Sequence, residues 1–208
     1  MTQTIEKPPE VKTQLNAVKR YSQRYMPKSA YHNFTHAEDV AEAVKRIGYR
    51  EGVSRDKVFL LETAAYLHDI VNQVGSDLNE EFSSRIAKKI LPRLGYSDSE
   101  TDLVSGLILA TELKRQPISL LDGIMRDADV DNLGREDFFE KNESLRKELG
   151  VKDKSAWQRQ TLTFLEKHKY YTETSRSERQ YGLEKNVKKL KSLMGGKNGL
   201  ETWNMGTA

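Results

Sequence analysis

The chain has 208 residues, no cysteine, and 34 basic against 31 acidic residues, for a formal net charge of +3. The missing cysteines exclude disulfides, thiolate zinc sites and cysteine nucleophiles, and the near-balanced charge makes no electrostatic case for nucleic acid as the principal partner. A chain of this length can bury a sizeable core in one domain without covalent staples, and any metal it holds must be bound by histidine and carboxylate.

No run of ~18 apolar residues is present, and the opening MTQTIEKPPEVK is too polar for a secretory signal; a soluble cytoplasmic protein is the expectation. Residues 1–10, broken by Pro8 and Pro9, read as a disordered arm. Residues 11–194 read as one domain, and 195–208, opening on Gly195 and Gly196, as a flexible tail. A first helix is expected over 11–24, after which Pro27 interrupts the chain. From His36 onward Val40, Ala43, Val44 and Ile47 recur at helical spacing, which puts His36 on a buried stripe. Ser54 reads as the N-cap of the next helix, where Val58, Leu61, Ala65 and the run to Ile70 form the most apolar stretch. His68 and Asp69 stand at its end.

A helix over about 79–94 carries Phe82, Ile86, Ile90 and Leu94, is bent by Pro92 and closes at Gly95. Ser97 and Glu100 form a capping box ahead of a helix over 101–112. Ser119 caps another helix, whose Leu120, Leu121, Ile124 and Ala128 share a side and which ends by Gly134. Three further helices are expected over about 135–149, 155–170 and 176–194, the lysines of the last forming a solvated face. Strand signals are nearly absent. The fold class is all-α, a compact bundle of eight or nine helices.

Two of the four histidines, His32 and His36, lie four residues apart in YHNFTHAEDV. An inward imidazole at position 36 needs a partner, and a charged Asp69 beside His68 at the end of an apolar helix needs compensation. Adjacent helical residues diverge by about 100°, so His68 and Asp69 can share one ion only at the helix edge, with further ligands from elsewhere. RDADVDNLG offers Asp127, Asp129 and Asp131, which at alternate positions cannot all face one side. Phase makes Asp129 a candidate and points Asp131 to solvent, while Asp127 and Asp129 remain rivals. Two imidazoles and two carboxylates suit a divalent ion with open positions for water, and a bound water has its pKa lowered toward neutrality.

These phrases in this order resemble the HD-domain superfamily of metal-dependent phosphohydrolases, as a single HD domain of bacterial type. YHNFTHAEDV is similar to its first histidine motif, AAYLHDIV to its namesake doublet, and LILATELK and RDADVDNLG to its later segments, over about residues 21–190. The resemblance implies His36, His68, Asp69 and Asp129 as ligands, the last chosen by its alanine-aspartate context. Asp69 would be able to bridge to a second ion. One or two divalent ions are implied, drawn from Mn, Fe, Mg, Co, Zn or Ni.

It also implies hydrolysis of a phosphomonoester or phosphodiester, a nucleotide or related small phosphorylated molecule, through a metal-activated hydroxide. A non-catalytic sensor or binding module of the same family is the alternative, and a homodimer is left open. YHN followed by HA and DV is similar also to cyclic-nucleotide phosphodiesterases, whose first histidine acts as general acid; that position is His32 here. The likeness stops at Asn72, where those enzymes place another histidine, and cyclic-nucleotide specificity does not transfer. Lys28, Lys114, Arg115 and Arg126 are the candidates for neutralising phosphoryl oxygens. Glu80 or Glu81 would stand near the metal rim, and His168 reads as a surface residue.

Overall fold

Asn33 shows how local chemistry starts the first site-bearing helix. Its carboxamide oxygen accepts from the backbone N–H groups of Thr35 (2.9 Å) and His36 (3.2 Å), satisfying donors that a helix leaves orphaned at its N-terminus. The computed structural model describes residues 11–201, with side chains over 13–195. Nine α-helices and no strand occur among the described residues: α1 Val11–Tyr25, α2 Phe34–Arg50, α3 Arg55–Leu67, α4 Asn79–Ile90, α5 Asp98–Leu109, α6 Leu120–Asp129, α7 Phe138–Glu148, α8 Lys154–Lys167 and α9 Glu173–Glu201. None of them is long and apolar enough to cross a membrane.

Sequence signals place most boundaries. Pro92 falls in a 3-10 turn, Leu91–Leu94, that ends α4, and Gly95 follows in the left-handed region at φ 85°. Ser97 with Glu100 and Ser119 with Asp122 form complete capping boxes on α5 and α6. Ser54 occupies the N-cap position of α3 but its side chain makes no capping bond. Helix α9 continues past Gly195 and Gly196 to Glu201. The expected arm over 1–10 and the rest of the expected tail, 202–208, lie outside the described residues.

Two hydrophobic cores form. The larger joins α1–α6 around α3, which is buried at nearly every position from Val58 to Leu67, as a helix apolar on all sides must be. The smaller gathers Leu133, Phe138, Leu165, Tyr170, Leu183 and Leu190 from the C-terminal helices. Between the two cores, Asp131 accepts from Arg46 (2.6 Å) and Arg179 (2.8 and 3.0 Å). This corrects the solvent-facing placement of Asp131, which is buried. The chain leaves α geometry at Val130 for a 3-10 turn, Asp131–Gly134, so helical phase does not carry past residue 129. Backbones meet at the same seam: a Cβ on Gly182 would lie 1.9 Å from the Gly134 carbonyl oxygen.

Candidate metal centre

Three helices of the larger core bring four side chains to one point. His36 comes from the first turn of α2, His68 and Asp69 from the end of α3, and Asp129 from the last residue of α6. His68 Nε2 stands 3.0 Å from Asp69 Oδ2 and 3.3 Å from Asp129 Oδ1. His36 Nε2 stands 3.5 Å and 3.2 Å from the same two oxygens. Ligands in neighbouring positions of an ion at ~2.1 Å are ~3 Å apart; His36, His68 and Asp69 offer ligand atoms that all lie within 4.8 Å of one another, and Asp129 reaches this trio through its two histidine contacts.

Two further observations fit a cation. His68 Nδ1 lies 2.8 Å from the Ala65 carbonyl oxygen; a carbonyl only accepts, so Nδ1 donates there, and Nε2 is the nitrogen that faces Asp69 and Asp129. His68 Nε2 and Asp69 Oδ2 are also buried and form no hydrogen bond, a costly condition that a bound ion relieves. Burial opposes charge on His68, yet Asp69 and then Asp129 raise its pKa well above the ordinary range. Burial likewise opposes ionisation of the two carboxylates, and the histidines overcome it: His68 lowers Asp69, and His36 with His68 lower Asp129. Glu80 reaches the same rim, its pKa raised by burial and by Asp69 and Asp129, whereas Glu81 pairs with Arg85 at the surface.

Asp127 is turned elsewhere. Its carboxylate accepts from the backbone N–H groups of Tyr171 (2.9 Å) and Thr172 (2.8 Å) and from the Thr172 hydroxyl (2.7 Å). It therefore anchors the segment that opens α9 and has no part in the four-residue group.

Asp69 and Asp129 of the group line a cavity of about 520 Å³, together with residues of the C-terminal helices that include Phe138, Leu145, Trp157, Phe164 and Leu165. His32 lines it too, held by a residue that sequence reasoning missed. Glu148, the last residue of α7, accepts from the backbone N–H groups of Tyr31 (2.7 Å) and His32 (2.9 Å), and its Oε1 lies 2.5 Å from His32 Nδ1. Asn72 donates to the same carboxylate at 2.8 Å. Against the cost of its own burial, these bonds hold the Glu148 pKa at about 2. Burial works against charge on His32, and its bond to Glu148 and the field of Asp69 outweigh it, so its pKa is raised. A partner 116 residues away leaves no local signal; the one hint was Asn72, noted only as a departure from a pattern.

The four expected phosphate-binding cations do not line this cavity. Arg126 is buried, and its guanidinium donates to the carbonyls of Ala110, Thr111, Glu112, Leu113 and Arg115, capping acceptors that the end of α5 leaves open. Lys114 pairs with Asp77 and Arg115 with Glu112 at the surface, and Lys28 is exposed ahead of α2. His168 is also corrected: it is half-buried between Phe164 and Tyr170, and burial, then Arg126, lowers its pKa to about 4.

Comparison with known proteins agrees with this fold. No functionally curated protein matches the chain. Among solved structures, Bacillus subtilis YpgQ in complex with ADP superposes with a TM-score of 0.69 at 20% identity, covering 89% of this chain and 96% of that one. A Lactobacillus plantarum protein superposes at 0.66 and 15% identity, covering 88% and 98%. A predicted HD superfamily hydrolase from an uncultured Thermotogales bacterium superposes at 0.51 and 22% identity, covering 96% and 97%. The sequence profile of the HD domain matches residues 33–132, the segment that runs from the cap of α2 past Asp129 and holds all four converging side chains, and over that segment the chain is similar to the HD domain.

Proposed function

We propose that this protein is a metal-dependent phosphohydrolase acting on a phosphomonoester or phosphodiester, a nucleotide or a related small phosphorylated molecule. The observation that carries the reading is the convergence of His36, His68 and Asp69, whose ligand atoms all lie within 4.8 Å of one another, with Asp129 Oδ1 at 3.2 and 3.3 Å from the two histidines. His36, His68, Asp69 and Asp129 would hold one or two divalent ions. When bound, such an ion neutralises phosphoryl oxygens and acidifies water.

The chain's own residues account for the rest. Glu148 fixes the His32 ring through Nδ1 and favours its protonated form, which leaves Nε2 as the nitrogen that can give a proton to the departing oxygen. Asn72 steadies Glu148 from the other side. The apolar side chains of the wall lower the local dielectric and strengthen each of these interactions. The ADP complex of YpgQ supports a nucleotide as the substrate class.

Elemental analysis of the purified protein, followed by phosphate release from a panel of nucleotides and phosphomonoesters with added Mn²⁺, tests this reading. Bound divalent metal with turnover is the expected result. Metal or nucleotide binding without phosphate release overturns catalysis in favour of a sensor or binding module.

A further inference from the structure

The cavity has two chemically different ends. At one, Asp69, Glu80 and Asp129 converge with His32, whose charge Glu148 offsets. At the other, Leu133, Phe138, Leu145, Val151, Trp157 and Leu165 form the wall, interrupted only by neutral groups such as Asn132, Asn142 and Gln160. Every fixed charge facing the cavity apart from His32 is therefore negative. Arg126, Lys114 and Arg115 are bound to carbonyls or to surface carboxylates, and Arg135 and Lys141, which lie beside His36 and Asp129 outside this cavity, are bound to Asp39 and Asp137.

From this arrangement we infer that the substrate is a monophosphate ester whose alcohol is uncharged and largely apolar or aromatic, a nucleoside or an aryl alcohol, in preference to a di- or triphosphate. The inference rests on the phosphohydrolase reading. A single phosphoryl group meets the ion-binding end, where the cations it needs are supplied. Further phosphoryl groups would extend along hydrocarbon and neutral amides and within the field of three carboxylates, losing hydration without gaining a cation. An apolar or planar body gains there by burial, and Trp157 in the wall supplies an aromatic contact. The amides of Asn132, Asn142 and Gln160 supply the few polar contacts that orient a ligand in a mostly apolar pocket.

The test compares one nucleoside as its mono-, di- and triphosphate, with 1-naphthyl phosphate and glycerol 2-phosphate as aromatic and small polar monoesters. The monophosphate and naphthyl phosphate are expected to exceed the triphosphate and glycerol phosphate in kcat/KM by about tenfold or more. Trp157→Ala should raise KM for naphthyl phosphate about fivefold more than for glycerol phosphate.

Leu149→Lys, at an exposed wall position, should move the preference toward the triphosphate. Calorimetry of the metal-free wild-type protein with 2-naphthol should give saturable binding. Preference for the triphosphate, or no binding of 2-naphthol, overturns the inference while leaving phosphoester hydrolysis intact. No hydrolysis of any ester overturns the function and the inference with it.

Discussion

At the histidine-aspartate end of the cavity, side chains from α2, α3 and α6 meet with edges of 3.0 to 3.5 Å; across from it, α7 and α8 present an apolar wall. The first end belongs to the larger core and to the segment matched by the HD-domain profile, and the wall lies beyond residue 132. An ion site depends on a few atoms at fixed separations, so it is built from helix ends locked by a core. A pocket wall depends on shape and tolerates substitution that keeps volume. Glu148 is the exception that joins them: it belongs to the C-terminal part yet holds His32 on the cavity that Asp69 and Asp129 also line.

The comparison breaks most sharply at Asp69. Asp69→Ala should remove bound metal and phosphoester hydrolysis together, checked by elemental analysis and phosphate release, while the helical circular dichroism persists; activity in a metal-free Asp69→Ala protein would sink the mechanism. Glu148→Gln should retain metal but lower kcat for alkyl phosphate esters roughly 10²-fold, with a much smaller loss for p-nitrophenyl phosphate, whose leaving group needs no acid. Equal losses on both esters would show that Glu148 serves only to hold the fold.

Smaller effects separate the two parts by stability. Gly182→Ala forces a methyl group against the Gly134 carbonyl and should cost about 1–3 kcal/mol, read as a lower urea midpoint with metal still bound. His168 gives the mildest test. Its pKa falls from an ordinary 6.5 to about 4 in the folded protein, so between those values the unfolded chain binds more protons and stability declines as pH falls. That contribution is intact above pH 6.5 and is lost progressively toward pH 4; His168→Gln should flatten the slope in that window.

Sequence by itself determined the all-α class, the capping box at Ser97 and the cap at Ser119, the helix stop at Gly95, and the inward placement of His36. Those features follow from interactions within a few residues, where the 3.6-residue period and hydrogen bonds of the caps leave a readable pattern. Tertiary structure decided which aspartate of RDADVDNLG stands beside the histidines. Asp127 is taken by the N–H groups that open α9 and Asp131 by two arginines, which leaves Asp129 with the histidines. It also turned Arg126 from a phosphate candidate into the cap of five carbonyls and brought Glu148 to His32 across 116 residues. In each case a buried polar group took whichever partner the packing of distant helices put within reach, because leaving it unpaired costs more than any local preference.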